Sequence, residues 1–228
     1  MRRLRQTAKN RVKPTDLRGI LQYIPKFRET IFVVSIDGAI VSDENFANLL
    51  LDFAVLRSLN IRVVLVHGAA CQIAAMALER NVEPSDLDGT EPVDEATLEL
   101  ALTAANRLTH EILEGFTANE LRGVSTNAVT ARPKGIIDGN DYFFAGKAER
   151  IDLAHLEGLL AQGNIPVIPP LGFDREGNTY RLNSDDLARE VAVKLKAAKL
   201  IYVTTHDGLV HNGEVIRQIP NGELDQIL

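Results

Sequence analysis

Two junctions hold the residues best placed for chemistry: Val33-Val34-Ser35-Ile36-Asp37-Gly38 and Val64-Leu65-Val66-His67-Gly68-Ala69-Ala70. Each is an apolar, β-branched run that reaches a glycine, the pattern of a buried strand feeding a tight turn. A missing β-carbon lets backbone N–H groups approach an anion, which makes Gly38 and Gly68 candidate ligand-binding positions. Turn geometry alone accounts for one glycine at each place equally well. The segment Asn183-Ser184-Asp185-Asp186 precedes an apolar-periodic stretch. A helix start of this kind binds anions or orients donors, so Asn183 and Asp185 are candidates too, while capping by Ser184 or Asp185 explains the same residue types.

His67, His206 and His211 lie at strand ends or in a hairpin without the spacing of a metal site. Cys71 has neither a second thiolate nor an identifiable base, so no metal ligand and no nucleophile is assigned. No Walker-type loop or nucleophile elbow occurs.

Those junctions need elements to hold them. Leu17, Ile20, Leu21 and Ile24 have helical spacing over residues 15–27, with Thr15 or Asp16 as cap and Pro25 as the end or kink. A strand over 31–36 and another over 61–66 flank a helix opened by Ser42 or Asp43, whose apolar face carries Phe46, Leu49, Leu50, Phe53 and Leu56. This makes a βαβ unit with a right-handed crossover. A helix follows Gly68, and Asp94 caps a long one that stops between Gly115 and Gly123. Further along, a strand over 126–132 and a turn-rich β segment over 138–146 precede a helix over 151–162 and a strand over 165–169. A strand over 178–182, a helix capped by Ser184 or Asp185, a strand over 200–204 and a hairpin over 209–216 around Asn212-Gly213 complete the reading. The alternation predicts an α/β protein, three layers deep, with a doubly wound, mostly parallel sheet. Ligands of such sheets bind outside the carboxyl ends of the strands, here the loops after Ile36, Val66, Pro169 and Val203.

The net charge of −6 argues against nucleic acid as the main partner. No apolar run reaches the roughly 20 residues of a membrane helix. A lone cysteine and the absence of an apolar signal segment point to a cytoplasmic protein with no membrane association. Arg2, Arg3, Arg5, Lys9, Arg11 and Lys13 form a basic, flexible arm over residues 1–14, ahead of one domain over 15–228.

Taken together, the segments resemble the amino-acid kinase family, and within it the kinase-like domain of the N-acetylglutamate synthases. The specific stretch is Gly139-Asn-Asp-Tyr142, Gly146, Arg150-Ile-Asp152, Gly163-Asn-Ile165, Pro170-Leu-Gly172, Gly177-Asn-Thr-Tyr-Arg-Leu182 and Ser184-Asp-Asp186. Tyr23-Ile-Pro-Lys-Phe-Arg28 is similar to the amino-terminal helix that joins arginine-controlled members into larger rings. The resemblance implies an amino-acid-kinase (carbamate-kinase-like) fold with an incomplete C-terminal lobe and no acetyltransferase (GNAT) domain on the chain. It also implies a homo-oligomer, an acetyltransferase domain or subunit as partner and L-arginine as effector.

Carried over position by position, it marks a loss of phosphotransfer chemistry. Ser35 stands where kinase members have a phosphate-neutralising lysine, and Gly68-Ala69-Ala70 keeps only the first residue of a glycine-rich turn, the two added β-carbons obstructing backbone approach. Glu91 stands in place of a carboxylate-gripping arginine and Arg181 in place of an asparagine, while Asn183 and Asp185 still match, Asp185 being the retained organiser of lysines absent here. Phosphoryl transfer relies on positioning and cationic stabilisation, so the resemblance argues against ATP and Mg2+ and implies no cofactor on this chain; acetyl-CoA would serve the complete synthase. Three functions follow as expectations: a non-catalytic synthase domain for assembly or arginine control, an acetylglutamate kinase-type phosphotransferase, or a scaffold of the same fold that binds no ligand.

Overall fold

The computed structural model describes residues 25–206, 208, 210–211 and 214–216. The basic arm, most of the helix expected over 15–27 and the turn residues Asn212-Gly213 lie outside the described residues; residues 25–27 are helical.

Strands β1 (Ile31–Ile36) and β2 (Arg62–His67) are the two apolar runs of the sequence. Alternation along them decides the layering. Val34 and Ile36 of β1 and Val63 and Leu65 of β2 enter one core, whereas Val33, Val64 and Val66 enter the other. With both faces apolar, these strands must be covered on both sides. One cover is made by helices α1 (Gly38–Val41), α2 (Phe46–Ser58), α3 (Ala70–Arg80) and α4 (Glu95–Ala118). There Phe53 and Phe116 meet edge to face, 5.5 Å between centroids. The opposite cover is made by α5 (Leu153–Ala161) and α6 (Ser184–Lys194) through Leu156, Leu160, Leu187 and Val191.

The central sheet is wholly parallel: β11 (Lys199–Val203), β1, β2, β8 (Ile165–Ile168) and β3 (Gly123–Ser125), in that order. Beside α6 lies a second sheet, in the order β10 (Thr179–Arg181), β9 (Leu171–Phe173), β4 (Val129–Pro133) and β7 (Gly146–Ile151). Two hairpins, β5 (Ile136–Ile137) with β6 (Asn140–Asp141) and β12 (Val210–His211) with β13 (Glu214–Val215), complete the described elements.

The expected parallel sheet is present, and the turn-rich β segment over 138–146 is seen as the turn and second strand of the β5–β6 hairpin with bridges at Phe143 and Ala145, but the strand expected over 126–132 resolves differently. β4 runs from 129, β7 begins at 146, and both belong to the second sheet, where β4 and β7 pair antiparallel with a bulge at Thr130/Ala131. Helix α2 opens at Phe46 with Asn45 in the cap position, not at Ser42 or Asp43, because Asp43 spends its carboxylate on the Asn45 N–H at 2.8 Å.

Candidate functional site

The parallel strands bring Ser35 at the end of β1, His67 at the end of β2 and Tyr202 in β11 to one edge, beside the start of α6. The cap of α6 is Asn183, rather than Ser184 or Asp185: its Oδ1 accepts the Asp186 N–H at 2.9 Å. Freed from capping, Asp185 faces the strand ends. Ser35 Oγ donates to its carboxylate at 3.4 Å, and the Tyr202 hydroxyl donates to its backbone oxygen at 3.2 Å. These groups line a cleft of about 340 Å³ together with Asp37, Asp88 and Asn183.

Its electrostatics are acidic. Burial raises the Asp185 carboxyl above the usual carboxylate range, opposed by the Ser35 hydrogen bond and reinforced by Asp37, Asp186 and Asp88. Burial, followed by the neighbouring Asp185, also raises the Tyr202 phenol. Sequence reasoning missed Asp37, Asp88 and Tyr202. Asp37 was legible only as the residue before a turn glycine, yet its Oδ1 lies 3.6 Å from where a β-carbon on Gly68 would stand. A carboxylate thus overhangs the turn that an incoming anion would need.

The other sequence candidates fall around this cleft. Gly38 is buried, with its carbonyl accepting from Gln72 Nε2 at 2.9 Å, and a β-carbon there would collide with the Gln72 amide. Ala69 is buried in the core on the helix α3 side. Ala70 opens α3 and, like Ala69, is not among the residues lining the cleft. Glu91 is exposed and stands outside that lining, while its backbone N–H donates to Asp86 at 3.1 Å.

Arg181 departs furthest from its expected place. It is 1% exposed and is not among the residues lining the cleft, with Nη1 donating to Pro170 O at 3.0 Å and Leu182 O at 2.8 Å, and Nη2 to Leu87 O at 2.9 Å. Beneath it the Asp86 carboxylate accepts the N–H groups of Gly89, Thr90 and Glu91. Lys134 closes the same loop from outside, donating to Gly89 O at 3.0 Å and Thr90 O at 2.8 Å. Loop 86–91 is therefore held from three directions, and Asn183 Nδ2 adds a bond to Asp88 O at 3.0 Å.

Gly89 lets the loop lie this close. Its φ is +78°, and an added β-carbon would stand 2.8 Å from the Leu182 carbonyl and the Asn183 nitrogen. Gly89→Ala should cost about 1–3 kcal/mol in urea denaturation. Gly177, at φ +90° with nothing within 4 Å, supplies the control for backbone strain alone. Equal losses for Gly89→Ala and Gly177→Ala would mean that the close approach contributes nothing.

His67 is fully buried below the Gly68 turn. Its Nδ1 contacts Gly68 O at 3.0 Å and its Nε2 contacts Thr109 Oγ1 at 2.9 Å. A carbonyl only accepts, so Nδ1 carries the proton, and in the neutral ring Nε2 is an acceptor that shares the single Thr109 hydroxyl proton with Ala105 O, 2.8 Å from Oγ1. Burial, opposed by the Gly68 hydrogen bond and aided by Arg181, pushes the His67 pKa down to about 4. His206 lines the acidic cleft, and His211 lies in β12. Among the described residues no group of three or more His, Cys, Asp or Glu side chains is placed to hold a metal ion, and no helix is long and apolar enough to cross a membrane.

Set against known proteins, residues 30–227 match the profile of the amino acid kinase family. An amino-acid acetyltransferase of Pseudomonas fluorescens is 35% identical over 213 residues, which are 89% of this chain and 49% of the relative. An acetylglutamate kinase of Pseudothermotoga lettingae is 34% identical over 206 residues, 86% of this chain and 72% of the relative. Among solved structures, the N-acetylglutamate synthase of Neisseria gonorrhoeae complexed with coenzyme A and L-arginine superposes with a TM-score of 0.85 at 32% identity, over 92% of this chain and 52% of that one. The chain thus spans about half the length of the acetyltransferase relatives it matches.

Proposed function

From a chain that belongs to the amino acid kinase family, we propose the kinase-like half of an N-acetylglutamate synthase, non-catalytic in its own strand-end cleft and serving assembly or arginine control. The complete synthase transfers acetyl from acetyl-CoA to glutamate, the first step of arginine biosynthesis. That chemistry, with its acetyl-CoA, belongs to an acetyltransferase domain or subunit that works beside this one, in a cytoplasmic homo-oligomer.

The observation that carries the reading is the sign of the cleft. A transferring phosphoryl group needs cations at its oxygens. Ser35, Asp37, Asp88 and Asp185 offer it a hydroxyl and three carboxylates. At 4 Å, two like charges repel by about 4 kcal/mol at an effective dielectric of 20. The residues present do not fit ATP.

The purified chain should show no ATP-dependent phosphorylation of N-acetylglutamate with Mg2+ present. The 34% identity to an acetylglutamate kinase over 72% of its length favours the second reading, a phosphotransferase built on the retained Gly68, Asn183 and Asp185. Turnover in the same assay would establish that reading and end the first. L-Arginine supplies the finer test: a rise in melting temperature supports effector control, whereas no shift leaves assembly as the role. The N-acetylglutamate synthase complexed with L-arginine is the motive for that arm.

A further inference from the structure

On the second sheet, Arg132 of β4 lies directly opposite Lys147 of β7 in the antiparallel register. Like charges in such a pair repel, and neither side chain forms an ion pair among the described residues. Lys134, just beyond the end of β4 and two residues from Arg132, brings a third cation to the same cleft. Its ammonium is fixed in place by the carbonyls of Gly89 and Thr90 and by the Tyr142 ring, 5.1 Å from nitrogen to centroid. Two of its three donors are spent, and the third has no protein acceptor among the described residues.

The acids at the cleft offset these charges only in part: Asp186, with Asp86 and Glu91 nearby, favours the charged Lys134 ammonium. Asp186 and Glu190 of α6 are engaged by Arg189 on the same helix, at 3.7 and 3.1 Å. Four cations and two carboxylates therefore face a cleft of about 270 Å³ on a molecule whose net charge is −6. A chain rich in acid that gathers more cations than carboxylates at a concavity, with Arg132 and Lys147 outside any ion pair among the described residues and Lys134 rigidly held, resembles a site awaiting its counter-charge.

We propose that the cleft between β4, β7 and α6 binds a small multivalent anion bearing phosphate or carboxylate oxygens, gripped by Arg132, Lys134 and Lys147. Arg132 supplies a planar fork suited to paired oxygens, and the two ammonium groups supply point charges on either side. The site adjoins the acidic cleft, with Asn183 lining both, and the inference does not rest on the synthase reading.

Pyrophosphate and citrate are the probes, titrated calorimetrically at low ionic strength against the whole chain, with melting temperature as second readout. Each should bind saturably at one site; tighter pyrophosphate assigns a phosphate ester and tighter citrate a polycarboxylate. Arg132→Gln and Lys147→Gln should each weaken binding at least about tenfold, the equivalent of one charge-assisted hydrogen bond. Arg150→Gln, an equal charge change elsewhere on exposed β7, should leave it intact. Without anion, Lys147→Gln should match or exceed the wild-type melting temperature because repulsion is relieved. The proposal falls if neither probe saturates below about 10 mM, if Arg150→Gln weakens binding as much, or if Lys147→Gln lowers the anion-free melting temperature.

Discussion

Arg181→Met should lower stability by about 3–5 kcal/mol, as expected for removing one member of a buried charged network. The substitution keeps much of the volume, so the loss comes from polarity. Three carbonyls, of Pro170, Leu182 and Leu87, would lose their donor, and the buried Asp86 carboxylate would lose its neighbouring cation. Burial lowers the Arg181 pKa to about 10, against the favourable influence of Asp86 and Asp88, so the guanidinium remains charged at neutral pH. Arg181→Lys keeps the charge without the fork and should fall between. Urea denaturation measures the loss, and hydrogen exchange at residues 86–91 locates it. A Met variant within about 1 kcal/mol of wild type would show that the guanidinium does not hold the loop.

Acidification from pH 6.5 to about 4 should remove about 3 kcal/mol of stability through His67 alone. The direction follows from the folded-state pKa lying below the unfolded value of 6.5. Above that value both states are neutral and the residue contributes no pH dependence. Below it the unfolded chain takes a proton that the folded chain refuses, so stability falls until the folded pKa is reached. His67→Gln keeps hydrogen-bonding capacity and cannot titrate, and its stability profile should be flatter over that window by about the same amount. Parallel profiles for the two proteins would remove His67 as the source.

The parallel sheet was legible because strands buried on both faces leave continuous β-branched runs, as at 31–36 and 61–66. The long helix was legible from its ends: Asp94 caps it by accepting the Thr97 N–H at 2.8 Å, and it stops at Ala118, between Gly115 and Gly123 as the glycines indicate. The second sheet was poorly legible because β9 and β10 have three residues each, too few for a period to emerge. At the start of α6, three consecutive residues can each cap a helix, and only the backbone decides among Asn183, Ser184 and Asp185.

Within the cleft, Ser35, Asn183 and Asp185 were found from their positions in the sequence, and the structure gathers them. Residue type misled at Arg181, since a cation aligned with site residues gives no sign that it points into the protein. It also hid Asp37 and Asp88, which matter through the side chains they face across the chain.

Arg181 also divides the positions around the cleft by how freely each can vary. Ser35, only 4% exposed, lines the cleft with Asp37, and among the described residues its hydroxyl makes one long bond there. A longer side chain at either position has that cleft to enter. Placing at 181 the asparagine suggested by the family resemblance would withdraw three hydrogen bonds, since the shorter side chain cannot reach the same acceptors. Substitutions at the two places therefore differ in reach: one alters the cleft, the other unfastens loop 86–91 from the body to which it is tied.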